Sequence, residues 1–134
     1  MHRDPWCLLV LHSGDALPHF DVTTVDGPVI RYAAIWQRSN LVLVTLDSSE
    51  ADNRYAAAVA NNADEFARRA AECVITYDDI AGLRAPGVLV ADRWGEVVYA
   101  VTGSAVSELP SPRELIEWLE YVEHRCPECE GEAR

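Results

Sequence analysis

Between Cys7 and Cys73 the chain has no cysteine, and that gap covers the segment best suited to activate a thiol. Residues 41–46 (LVLVTL) form a continuous apolar and β-branched run, as a strand covered on both faces does. The run breaks into the polar stretch DSSEADN and then into an alanine-rich helical segment. A helix N-terminus stabilises a thiolate. Here that turn offers Ser48, Ser49, Glu50, Asp52 and Asn53 instead, so thiolate chemistry at the turn is excluded. Ser48 and Ser49 have no visible His–Asp arrangement to activate them, and they read as turn and capping residues.

Basic residues are also scarce. Eleven Lys and Arg stand against 22 Asp and Glu, for a formal net charge of -11. That balance argues against nucleic acid and anionic membranes as partners, and admits a basic protein partner. No apolar run approaches the roughly 18–20 residues needed to span a bilayer. The short apolar stretch from Trp6 to Leu11 is stopped by His12, Ser13, Gly14 and Asp15, with no cleavage-like site after it. Four scattered cysteines make no disulfide scaffold. A cytoplasmic protein with reduced thiols is the expectation. No internal repeat or long linker divides the chain, and 134 residues suffice for one domain with its own core.

Along the chain, residues 20–25 alternate apolar with polar or hydroxyl residues, Asp26-Gly27 signals a turn, and residues 29–32 return as a second hairpin arm. The strand at 41–46 is followed by the longest helical pattern, about 52–72, with Asn61-Asn62 as weak helix formers able to split it and to cap a second helix. Residues 73–77 (CVITY) read as a strand. Residues 88–91 and 97–101 read as an antiparallel pair around the turn Asp92-Arg93-Trp94-Gly95. Ser111, Pro112 and Glu114 then form the best helix start in the chain: N-cap, first position and capping box. The apolar stripe Leu115, Ile116, Trp118, Leu119 and Val122 comes next, and Pro127 must end that helix.

Three stretches carry a resemblance. Gly14-Asp15-Ala16-Leu17-Pro18-His19-Phe20-Asp21-Val22 is similar to the redoxin N-terminal pattern G-D-x-x-P-x-F-x-L, with Asp26-Gly27 after it. The strand at 41–46 feeds a helix. Ala85-Pro86-Gly87 precedes a strand, and Asp92-Arg93-Trp94-Gly95-Glu96-Val97 matches D-x-x-G-x-V. Over residues 14–122 the chain therefore resembles the redoxins, the thioredoxin-like group that includes peroxiredoxins of the alkyl hydroperoxide reductase type. The resemblance implies an α/β, thioredoxin-like fold: a central mixed sheet with an N-terminal β-hairpin extension and flanking helices. It implies a cis bond before Pro86 and a peptide-binding surface around Pro86. It also implies a reactive cysteine in the turn after the first core strand, with a hydroxyl residue three positions earlier and an arginine nearby. Overlaying a thioredoxin strand puts cysteines near Glu50 and Asn53, where this chain has none. Peroxide reduction by the family's means is therefore not carried over.

The sharpest chemical feature lies elsewhere, in His124-Arg125-Cys126-Pro127-Glu128-Cys129. One reading is a thiol–disulfide pair. It comes after a helix rather than before one, and Glu123, Glu128, Glu130 and Glu132 surround it, so its thiols are poorly activated. A second reading is metal. Cys126 and Cys129 give half of a tetrahedral zinc or iron set, with His124 as a third ligand and a homodimer, or Cys7 or Cys73, as the source of the rest. A third is a free acidic tail. The expected organisation is an N-terminal segment at 1–13, a redoxin domain at 14–125 and a tail at 126–134. The expected function is that of a catalytically degenerate redoxin, a binding or accessory module for a protein partner. The alternative is a thiol–disulfide oxidoreductase using Cys126 and Cys129.

Overall fold

Six buried residues in succession, Asn40–Thr45, make β3 the centre of the molecule. A strand without alternation must be covered on both faces, and this one is. The computed structural model of the chain describes residues 10–80 and 82–124. A short hairpin comes first, β1 (Asp21–Thr23) and β2 (Val29–Arg31), paired antiparallel. After β3 come α1 (Glu50–Ala60), α2 (Ala63–Ala67), β4 (Ala71–Thr76), β5 (Gly87–Ala91), β6 (Val97–Thr102) and α3 (Pro112–His124). The main sheet runs β4-β3-β5-β6, with β4 parallel to β3 and the other pairs antiparallel. The predicted mixed sheet, flanking helices and separate N-terminal hairpin are all present.

Alternation along the strands divides the core in two. On one face Val42, Val44, Val88 and Val90 meet Val59, Phe66, Leu115 and Leu119 from the helices. On the other, Leu41, Leu43 and Leu89 meet Leu17, Val22, Tyr32 and Ile35 from the N-terminal part. The start of α3 is as predicted. The Ser111 hydroxyl accepts from the Glu114 amide at 3.2 Å, and Glu114 reaches back to the Ser111 amide at 3.3 Å.

Three element boundaries differ from expectation. The predicted strand over 20–25 shortens to Asp21–Thr23, with Thr24 in a lone bridge to Thr76. The helical pattern over 52–72 starts earlier, at Glu50, and divides at Asn61-Asn62, where their poor propensity allowed a break. Asn62 occupies the cap position of α2 but makes no side-chain cap bond; its amide donates back to the Ala58 carbonyl at 2.9 Å. Residues 68–70 leave the helix altogether, Ala70 turns through φ 58°, and β4 begins at Ala71, two residues before Cys73. Pairing explains the last point, since Asn40 donates its amide to the Ala70 carbonyl at 2.8 Å and draws the segment into the sheet.

Two tyrosines, one buried and one half-buried, predict opposite responses. The Tyr32 side chain is fully buried, and among the described residues its hydroxyl has no hydrogen-bond partner. The Tyr55 hydroxyl donates to the Pro110 carbonyl at 2.6 Å, tying α1 to the loop before α3. Tyr32→Phe should cost nothing or stabilise by about 1 kcal/mol, whereas Tyr55→Phe should cost about 1–2 kcal/mol. Urea midpoints at unchanged slope decide the order, and the reverse order would overturn both assignments. Burial, then the Asp92 charge, pushes the Tyr32 phenol from 10.0 up to about 12. The protonated form is thus favoured by folding. Its contribution is complete below pH 10 and is lost as pH rises through about 12, so Tyr32→Phe should also flatten the alkaline fall in stability.

Candidate functional site

Where β3 ends, the chain turns sharply into α1, with Ser48 in the left-handed region at φ 69°. Ser49 is the N-cap, its hydroxyl accepting from the Asp52 amide at 3.0 Å. Asp52 is buried, and its carboxylate accepts from the Asp47 amide at 2.6 Å. The pair closes the turn from both sides, as a capping box does. The Asp52 amide so satisfied would otherwise be an orphan of the helix start. The serine and aspartate are thus engaged in local structure rather than aimed at a substrate.

The Ala85–Pro86 peptide is cis, as the sequence resemblance implied. The antiparallel register pairs Thr45 with Gly87, so Pro86 falls opposite the start of the turn at Leu46. Both features therefore occupy one end of the sheet. The Pro86 ring is buried, and its carbonyl accepts from the Gly103 amide at 3.0 Å. Gly87 is required beside it, because a Cβ there would sit 2.5 Å from the Arg84 carbonyl.

The positions near Glu50 and Asn53, where a thioredoxin overlay would set cysteines, fall in the first turn of α1, and the turn after β3 carries no cysteine. The ion pair nearest to it in the chain, Arg54 with Glu50 at 3.5 Å, is exposed. Among the described residues no arginine forms an ion pair with Asp52. Cys73 is no substitute. It lies in β4 opposite Val42, four residues back from Leu46 along the sheet, or roughly 13 Å at about 3.3 Å per residue. Burial first, and the Glu72 charge second, push its thiol up to about 12.

His124 closes α3 as an exposed side chain, and its Nδ1 lies 2.8 Å from the Glu120 carbonyl. A carbonyl can only accept, so Nδ1 is the donor of that bond. Cys7, Cys126 and Cys129 lie outside the described residues. Among the described residues no three His, Cys, Asp or Glu side chains converge on a metal site. No described helix is long and apolar enough to cross a membrane.

No protein-family model matches the sequence, and no curated protein matches it. Solved structures do match in three dimensions. The reduced 2-Cys peroxiredoxin of Plasmodium vivax aligns at TM-score 0.66 over 85% of this chain and 98% of its own, at 12% identity. Mycobacterium tuberculosis AhpC aligns at 0.62 over 89% and 98%, at 13% identity. The fold is that of the peroxiredoxins. The yeast mitochondrial 1-Cys peroxiredoxin, at TM-score 0.64 and 15% identity, covers 83% of this chain and 76% of its own. Such identities speak to the fold alone. On this peroxiredoxin frame, the role of Asp52 was hidden in the sequence, although Ser49-x-x-Asp52 carries a capping signal.

Proposed function

We propose that this chain is a peroxiredoxin-fold binding or accessory module that has given up peroxide chemistry and works in a reducing, cytoplasmic compartment. The observation that carries the reading is the Ser49–Asp52–Asp47 cap. The turn where a helix dipole would activate a thiolate is closed by a buried carboxylate that already has its partners. Partner binding falls to the surface beside Pro86, through the exposed Arg84 and half-buried Ala85 rather than the buried ring. A peroxidase assay on the purified protein tests the reading, and rapid turnover that persists in Cys126→Ser/Cys129→Ser would sink it.

Cys126 and Cys129 add a metal-holding function to this reading. The supporting observation is His124, whose Nδ1 bond to the Glu120 carbonyl orients the ring, as zinc-bound histidines are oriented through their other nitrogen. Two chains would supply four thiolates, or two thiolates and two imidazoles, to one tetrahedral ion. Protein purified without chelator should then carry about half a zinc or iron per chain and run as a dimer, with both properties lost in Cys126→Ser. A metal-free monomer with a reversible Cys126–Cys129 disulfide at cytosolic potential would transfer the function to thiol–disulfide exchange.

A further inference from the structure

The sheet order leaves β4 as an edge strand. Asn40 bonds the Ala70 carbonyl and Leu46 bonds the Thr76 carbonyl, so the even-numbered residues of β4 face β3. Its odd-numbered residues turn their backbone groups outward. The hairpin covers that outer edge only at one end, where Thr24 bridges Thr76 and the Val25 amide donates to the Ile75 carbonyl at 2.9 Å. At Asp26-Gly27 the chain turns away. Ala71 is buried, which leaves Cys73 with N–H and C=O groups that have no strand partner among the described residues.

A cleft of about 650 Å³ opens beside this bare edge. Its roof is the overhanging side of α1, where Ala57 and Ala60 present only methyl groups, and its far wall is Val25 and Ile30 of the hairpin. Small residues above and a free strand edge below leave space for one more strand, about 4.8 Å from β4. The one charged residue lining the cleft is Asp26, and Glu72 is exposed next to Cys73. No basic side chain lines it.

We propose that the free edge of β4 and its cleft bind an extended, basic segment of a partner protein as an added strand. Main-chain bonds to Cys73 supply affinity, apolar residues of the segment face Ala57 and Ala60, and its alternate basic residues meet Asp26 and Glu72. At this edge charge favours a basic segment over a second copy of β4, which would bring its own Glu72. The proposal rests on the reading of the chain as a binding module, and the two fail separately. Peroxide turnover removes that reading, whereas peptide results bear on this edge.

The test uses full-length protein and labelled heptapeptides alternating valine with arginine or valine with glutamate, followed by fluorescence anisotropy and amide chemical shifts. The arginine peptide should bind at least tenfold tighter than the glutamate one, with shifts concentrated at residues 71–75. N-methylating one of its two alternate sets of amides should weaken it at least tenfold. Ala57→Trp, on an exposed helix position, should do the same, while Ala58→Trp, exposed but outside the cleft, should not. Equal loss in both tryptophan variants, shifts away from β4, or binding indifferent to peptide charge would overturn the proposal. So would a Cys73 amide already protected from exchange in the free protein, which would mean that its own chain or a second copy occupies the edge.

Discussion

Hydrogen peroxide and alkyl hydroperoxides should be consumed by the purified protein at less than about 10 M⁻¹s⁻¹, a thousandfold below the low end of enzymatic rate constants near 10⁴ M⁻¹s⁻¹. The attacking species in such a reaction is the thiolate. At the end of β3 there is none to form, because the turn from Asp47 to Asn53 holds no cysteine and its buried Asp52 accepts from the Asp47 amide. Cys73, whose thiol is pushed up to about 12, would be ionised at pH 7.4 to only about 10⁻⁵–10⁻⁴. Raising the pH does not rescue it without cost. Folding favours the protonated thiol, so that stabilisation is whole below about pH 9 and disappears as pH climbs through 12. The assay couples consumption to thioredoxin or glutaredoxin reduction, with Cys73→Ser and Cys126→Ser/Cys129→Ser alongside. All three proteins should give the same near-background rate. Fast turnover in every variant would mean chemistry at a group other than cysteine, and the degenerate reading would be wrong. Turnover lost only in the double variant would place a redox pair in the tail.

Sequence pattern revealed most where one residue decides one geometry. The continuous run at 41–46 required a strand covered on both faces, and β3 is that strand. Ser111, Pro112 and Glu114 specify a helix start through backbone donors within one turn, and α3 begins at Pro112. Asn61-Asn62 marked the break between α1 and α2. Pattern failed where distant partners decide. Residues 68–72 continue a helical pattern, yet Ala70 and Ala71 are drawn into the sheet by Asn40, thirty or more positions earlier. Asp52 looked like one acidic residue among several, because nothing local says that its carboxylate turns inward. The β4 cleft was illegible for a similar reason: a bare edge exists only once the hairpin has been seen to turn away at Asp26-Gly27. The resemblance implied the cis bond before Pro86, but could not foresee that its ring is buried.

Phe66→Ala should be the most damaging single substitution in the helical layer, costing about 3–5 kcal/mol. The helix that carries Phe66 has only five residues, Ala63–Ala67, far too few to be stable by propensity. It is held because Phe66 is fully buried in the core with Val42, Val59, Leu119 and Val122. The segment between α2 and β4 depends on that anchor. Arg69 bonds Glu120 of α3 at 2.8 Å, and Asn40 bonds both the Arg69 carbonyl at 3.0 Å and Glu123 at 2.9 Å. Loss of the ring therefore leaves a cavity and loosens the junction of β3, β4 and α3 together. Typical domains have only about 5–15 kcal/mol of stability, so the variant should be near the limit of folding. For a chain of this length the loss corresponds to a fall in Tm of roughly 10–18 °C. Phe66→Leu, which keeps most of the volume, should cost about 1–2 kcal/mol, and Ala67→Gly, on an exposed position of the same short helix, about 1 kcal/mol or less. Paired urea and thermal unfolding curves check the order. If Phe66→Ala proved no worse than Ala67→Gly, α2 would be held by its own backbone or by the Arg69–Glu120 pair, and the account of Phe66 as its anchor would fall.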